Sequence, residues 1–166
     1  MAVKVLAALY RRYPGVRLVM IGPDKGDGSW QLVQRLAGSL GVAKGLQLVG
    51  AVPKAAVPQW LEQEYIFVNT SRFDSFGVSV MESAACGLPV VTTGVGEFPY
   101  LWQHEADALL VPPDDPEAMA AAVRRILTEA GLAERLSRKA RKQTEGLDWS
   151  LILPRWENVF PNPSRV

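Results

Sequence analysis

Residues 65–100 read YIFVNTSRFDSFGVSVMESAACGLPVVTTGVGEFPY, and their order decides the fold. Tyr65–Asn69 is a short β-rich run, Val78–Ala85 a short helical one, and Pro89–Thr92 a second β run. A Gly-rich turn, Gly94–Glu97, then leads into another helix. Strand, loop, helix and strand in this order describe a parallel unit, with the helix crossing over one face of the sheet. In open sheets of this kind ligands sit beyond the carboxyl ends of the strands. Both loops of the stretch lie there, so two helix N-termini, near Phe76–Ser79 and near Gly96–Glu97, are expected to face one crevice. Free N–H groups and positive dipole ends suit an anion such as a diphosphate.

The same alternation extends to both sides. Val16–Ile21, Leu46–Val49 and Ala108–Val111 are further short apolar runs without clean alternation, as strands buried on both faces require. Helices are predicted over Ala2–Arg12, Trp30–Leu40, Glu117–Thr128, Leu132–Thr144 and Trp149–Val159. Ser29 is expected to cap the second and Gly41 to stop it. Asp115–Pro116 is a start signal for Glu117–Thr128, with Gly131 beyond its end. Gly87 suits a left-handed stop after Val78–Ala85. Pro154 is expected to bend or break the last helix. The fold class is therefore α/β, a Rossmann-like parallel sheet of about five strands with helices on both faces, in one domain over residues 1–166.

Composition excludes several function classes. Eighteen Lys and Arg against seventeen Asp and Glu leave no charge surplus for nucleic acid or an acidic membrane. One cysteine (Cys86) and one histidine (His104) leave no disulfide and little for a metal site, so no metal is expected. No apolar run is long enough for a bilayer. Met1–Leu9 carries a single Lys and no small-residue cleavage site, so no signal peptide is read and a cytoplasmic protein is the default.

Two carboxylates bracket the first loop. Glu82 has two acceptor oxygens that suit the paired hydroxyls of a ribose, and Asp74 is placed to reach the sugar side of a nucleotide-sugar. Gly77, Gly94 and Gly96 allow close backbone approach. Taken singly each has a plain structural reading: a carboxylate in the first helical turns complements the dipole, Ser79 is a helix-start hydroxyl, and Gly77 is a turn glycine.

The combination is more specific. The stretch resembles the core motif of group 1 (family 4) glycosyltransferases, roughly S-x-x-E-x-F-G-x-x-x-x-E-A-x-A-x-G-x-P-V-V. Here Ser71, Asp74, Phe76, Gly77, Glu82, Ala85, Gly87, Pro89, Val90 and Val91 occupy the corresponding places. Tyr13, Pro14, Leu18 and Gly22 are similar to the family's upstream Y-P-x-x-x-L-x-x-x-G. Leu48, Val49 and Gly50 resemble its strand before the base-binding loop, and Gly94–Pro99 loosely its G-G-x-P-E region. Ala108–Asp115 looks like its L-V-x-P-G-D stretch.

The resemblance implies a nucleoside-diphosphate sugar donor, transfer with retention, and no cofactor or obligatory metal. It implies that Glu82 holds the ribose, that the backbone of Phe76, Gly77, Val78 and Ser79 holds the diphosphate, and that the loop around Val52 touches the base. Asp74 contacts the transferred sugar as the catalytic-site carboxylate, and Gly94, Gly96 and Glu97 make further donor-sugar contacts.

The sequence departs from the family pattern at three points. Asp stands where Glu is usual at position 74. The family's first strand, with the Arg and Lys that clamp the diphosphate, has no counterpart, and Lys4 and Lys25 are not at matching positions. Each such contact is worth about 1.5–3 kcal/mol. The acceptor domain is also unmatched. The isolated chain is therefore expected not to transfer sugar, and the sheet to close over a gap, borrow a strand or self-associate. The alternatives are a stand-alone nucleotide-sugar-binding module, a partner-completed subunit, or an inactive fragment.

Other readings fit less well. Gly94-Val95-Gly96 lacks the third glycine of a dinucleotide fingerprint, and Gly22–Gly28 lacks the Gly-Lys-Ser/Thr of a P-loop. Sugar-nucleotide epimerases of related architecture need the same unmatched domain. The five tryptophans read as helix packing, and Arg135–Lys142 as a solvated helix face.

Overall fold

The structure is a computed structural model that describes residues 1–160; the end of the expected domain, 161–166, lies outside the described residues. Five strands and eight α-helices alternate among them: α1 (Ala2–Tyr10), β1 (Leu18–Ile21), α2 (Ser29–Ser39), β2 (Leu46–Gly50), α3 (Val57–Leu61), β3 (Phe67–Asn69), α4 (Val78–Ala85), β4 (Val90–Thr93), α5 (Phe98–Leu101), β5 (Leu109–Val111), α6 (Pro116–Thr128), α7 (Leu132–Glu145) and α8 (Trp149–Val159). None of these helices is long and apolar enough to cross a membrane.

All strand pairings are parallel, as the alternation requires, but the expected single sheet is two. β1 pairs with β2, and β3–β4–β5 form a separate three-stranded sheet. No ladder joins β1 to β3 among the described residues, so the sheet does not close over the gap. Strand β4 is buried along its whole length, whereas β1 is at most half-buried. The difference follows from position: β4 has a strand on either side and helices on both faces, while β1 has one strand neighbour.

Three apolar clusters hold these pieces. Val91, Leu109 and Val111 pack on one face of the larger sheet against Met119, Val123 and Ile126 of α6 and Leu136 of α7. On the other face Val90 meets Val80 and Ala84 of α4, with Phe98, Trp102 and Ala140. The third cluster sits by the smaller sheet, where Leu18 and Leu46 meet Ala37 and Val42. Helix α1 belongs to two of them, with Val5 and Leu9 in the first and Val3 and Leu6 in the third.

Local signals mostly act as expected. Asp115 caps α6 by accepting from the Ala118 N–H at 2.9 Å. Gly41 and Gly87 are left-handed, at φ 71° and 83°, and end α2 and α4. The basic run of α7 is solvated while Leu132, Leu136 and Ala140 are buried. Two expectations are corrected. Ser29 does not cap α2; Gly28 is the N-cap, and the Asp27 carboxylate accepts from the Ser29 N–H at 2.9 Å instead. Pro154 neither breaks nor ends α8, which runs through it. The carbonyl that loses its donor there belongs to Ser150, which is exposed to solvent. Helix α3, where Trp60 sits as read from the sequence, has Pro58 in its first turn, where a missing N–H costs nothing.

Truncating Leu6 or Leu9 to Ala is expected to destabilise the chain by about 2–5 kcal/mol each, as buried leucines do. Urea unfolding followed by tryptophan fluorescence and far-UV dichroism checks this. If α1 couples the two sheets, the transitions of each variant stay coincident; separated transitions would show sheets that unfold independently.

Candidate functional site

The loops that carry the motif leave the carboxyl ends of β3, β4 and β5, and backbone geometry binds them together. After β3, the Asn69 carboxamide oxygen accepts from the Ser71 N–H at 2.9 Å and from the Ser71 hydroxyl at 2.7 Å, turning the chain out of the sheet. The fully buried Thr93 at the end of β4 donates its hydroxyl to the Ser71 carbonyl at 2.6 Å. Arg72 reaches across to Asp114 after β5, Nε to Oδ1 at 2.9 Å. Both side chains are largely exposed, so this pair orients the loop more than it stabilises it.

Asp74 stands between the two main loops. Its Oδ1 accepts from the Gly77 N–H at 2.8 Å, and its backbone carbonyl accepts from the Glu97 N–H at 3.4 Å. The first bond closes a turn in the loop just ahead of α4. It engages one oxygen of the carboxylate that the sequence assigned to the sugar, and Oδ2 carries no protein hydrogen bond.

Two glycines are required by packing. A Cβ on Gly96 would lie 1.9 Å from the Asp74 carbonyl oxygen, and one on Gly77 would lie 2.3 Å from the Phe98 ring. Both residues are left-handed, at φ 54° and 70°. Gly94 differs: its nearest neighbour would be the Val111 carbonyl at 3.9 Å, an ordinary contact. The bare backbone of Gly77 and Gly96 thus serves the packing of the two loops on each other, a reason sequence reading did not supply.

Of the two expected helix N-termini, one is a full helix. Gly77 is the N-cap of α4 without any side-chain cap, and its carbonyl takes the Val80 and Met81 N–H groups at 2.9 and 3.0 Å. The Val78 and Ser79 N–H groups precede the first intrahelical bonds, and both residues are exposed, so these donors face solvent. The second expected terminus is corrected: α5 is only four residues, with Pro99 in its first turn, and the Glu97 N–H is occupied by Asp74. A single turn sums few peptide dipoles.

Glu82 lies further along α4, half-buried, on the border of a cleft of about 650 Å³ that Ser79, Thr70 and Met20 also line. Burial pushes the neighbouring Cys86 thiol up, with the charges of Glu62 and Glu82 adding, which keeps it a protonated packing residue. Val52 is half-buried on the loop after β2, at the carboxyl end of the smaller sheet, and does not line that cleft. The structure therefore brings Asp74, Phe76, Gly77, Val78, Ser79, Gly94, Gly96 and Glu97 to one edge, with Glu82 behind and Val52 across the gap. Sequence reasoning missed Asn69, Thr93 and Arg72, which shape the loop; polar residues at the ends of apolar strands are the signal that pointed to the first two.

Known proteins resemble this chain in sequence and in fold. A sequence model of the family described as glycosyl transferases group 1 matches residues 1–143. D-inositol 3-phosphate glycosyltransferase of Thermobifida fusca (strain YX) is 30% identical over 153 residues, covering 88% of this chain and 35% of that protein. The protein of the same name from Mycobacteroides abscessus is 31% identical over 148 residues, covering 88% of this chain and 33% of that one. The chain thus spans about a third of the length of these relatives. Among solved structures, Anabaena HepE in complex with UDP and glucose superposes with a TM-score of 0.86 at 18% identity, over 95% of this chain and 43% of that one. At that identity the likeness is one of fold. From the match over residues 1–143, the chain belongs to the glycosyl transferases group 1 family.

Proposed function

We propose that this chain is the donor-binding domain of a retaining glycosyltransferase and that it binds a nucleoside-diphosphate sugar at the carboxyl edge of β3 and β4. The observation that carries the reading is the uncapped N-terminus of α4, whose Val78 and Ser79 amides open to solvent beside the Asp74–Glu97 junction. Exposed amides at a helix N-terminus suit a diphosphate. In this reading the Phe76–Ser79 backbone holds the diphosphate and Glu82 takes the ribose hydroxyls. Val52 meets the base from across the gap. The free oxygen of Asp74, with Gly94, Gly96 and Glu97, faces the transferred sugar. HepE was solved with UDP, which makes UDP the first nucleotide to try. Localisation in the cytoplasm fits a soluble nucleotide-sugar and belongs to the same proposal.

A second reading is donor binding without transfer by these residues alone. Transfer needs donor and acceptor in one cleft, so an acceptor-domain partner belongs to this reading.

Calorimetric titration with UDP, GDP and ADP, and then with their sugars, tests both readings. Binding of one nucleotide is expected. Glu82→Ala should weaken it by about 1.5–3 kcal/mol through loss of charged hydrogen bonds. Unchanged affinity would remove Glu82 from the site, and no binding of any nucleotide at millimolar concentration would defeat the proposal. Turnover of a bound UDP-sugar by the chain alone would defeat the second reading.

The two glycines give a paired test. Gly96→Ala should drive the loops apart, abolishing nucleotide binding and costing about 1–3 kcal/mol of stability. Gly94→Ala, with room for its methyl, should be neutral or stabilise by about 0.4–1 kcal/mol and leave affinity intact. Equal tolerance of both would mean that the junction between the loops does not shape the site.

A further inference from the structure

The outer edge of the larger sheet is covered by a loop, and one hydrogen bond of that cover depends on a proton. Strand β5 has β4 on one side and no strand on the other among the described residues. The Val111 carbonyl accepts from the Gly94 N–H at 2.9 Å, so the backbone groups of Val111 face β4. Their direction alternates along a strand, which turns those of Ala108 and Leu110 outward. The segment between α5 and β5 folds back over them. The Glu105 N–H donates to the Ala108 carbonyl at 3.0 Å, and His104 Nδ1 accepts from the Leu110 N–H at 3.0 Å. A bare strand edge invites pairing with other chains, and this loop closes it.

The bond from Leu110 dictates the state of the imidazole. A ring nitrogen that accepts carries no proton, so the ring is neutral with its hydrogen on Nε2. A charged ring has an N–H at both nitrogens and can only donate, which sets Nδ1 against the Leu110 amide. Nε2 meets a different partner. It lies 3.5 Å from Glu105 Oε1, within ion-pair reach of a charged ring. His104 thus stands between an amide that requires the neutral ring and a carboxylate that attracts the charged one.

Charges from α6 and α7 keep that carboxylate in place. Glu105 has a left-handed backbone, φ 67°, which residues with a side chain rarely adopt. Both its oxygens take N–H groups of Arg125 on α6, Nη2 to Oε2 at 3.0 Å, and Glu129 binds Arg125 in turn through Nε at 2.6 Å. The bonds from Arg125 hold the Glu105 carboxyl below its ordinary range, with Arg135 of α7 adding to the effect. Asp107, the other acid of the loop, accepts from the Gln103 N–H at 2.7 Å. Burial pushes its carboxyl up against the pull of Lys139 on α7, so it is a second group in the loop that acid can protonate. We propose that His104 is a proton-operated latch on β5: neutral, it closes the outer edge at Leu110; protonated, it turns to Glu105 and releases the amide. The latch is independent of nucleotide binding.

Nuclear magnetic resonance on the whole chain tests this, and a single histidine makes the ring signals unambiguous. Histidines change charge between about pH 5 and 8, which sets the range of the scan. At its upper end the ring nitrogen shifts are expected to show a proton on Nε2 and none on Nδ1. The protection factor of the Leu110 amide, which removes the intrinsic pH dependence of exchange, is expected to fall about tenfold or more across the ring's own titration. Thr92, fully buried between β3 and β5, keeps its protection. His104→Asn has no titrating group at that place and should lose the step, whatever its level of protection, while Asp107→Asn should keep it. Constant protection of Leu110 in the unaltered chain, or a proton on Nδ1 of the neutral ring, would overturn the proposal. So would a step that persists in His104→Asn or vanishes in Asp107→Asn, since another group would then own it.

Discussion

Helix α1 is the constraint on which the arrangement depends. No backbone hydrogen bond joins the two sheets among the described residues, so their relative position rests on side chains. Val5 and Leu9 pack into the cluster over β4 and β5, while Val3 and Leu6 pack toward α2 and the smaller sheet. Four side chains on one nine-residue helix thus serve two cores. Apolar burial is non-directional, and each such side chain contributes roughly 1.5–3 kcal/mol. A helix can hold two sheet edges at a fixed distance without the ladder that usually sets it, and the distance it holds leaves room between them.

The site uses the other end of the same architecture. Strand β4 is buried throughout, so the loops at its carboxyl end start from a rigid base. From there the loops are joined by contacts that leave little freedom: Thr93 to Ser71, Asp74 to Gly77 and Glu97, and Arg72 to Asp114. Two of the four are side chain to backbone, and together they spend the polar groups of the loops on each other. What remains open is a pair of amides at the start of α4 and one oxygen of Asp74. Pre-organised donors of this kind meet an anionic ligand without further ordering cost.

The cleft and the site share a wall. Glu82 and Ser79 border the gap from α4, and Val52 lies on its far side, after β2.

By itself the sequence determined what depends on neighbours within one or two turns of chain. Asp115–Pro116 starts α6, Gly41 and Gly87 end their helices, the run read as a strand at Pro89–Thr92 falls on the buried β4, and the spacing of Asp74 and Glu82 carries the resemblance to the family. Caps, stops and periodicity act through local hydrogen bonds and one element's burial, so they are legible in order. Only the tertiary structure decided which strands pair and that Gly96 is bare because the Asp74 carbonyl occupies the place of its side chain. Pairing and loop packing join residues 18 or more positions apart, and sterics between such residues leave no periodic mark in the chain.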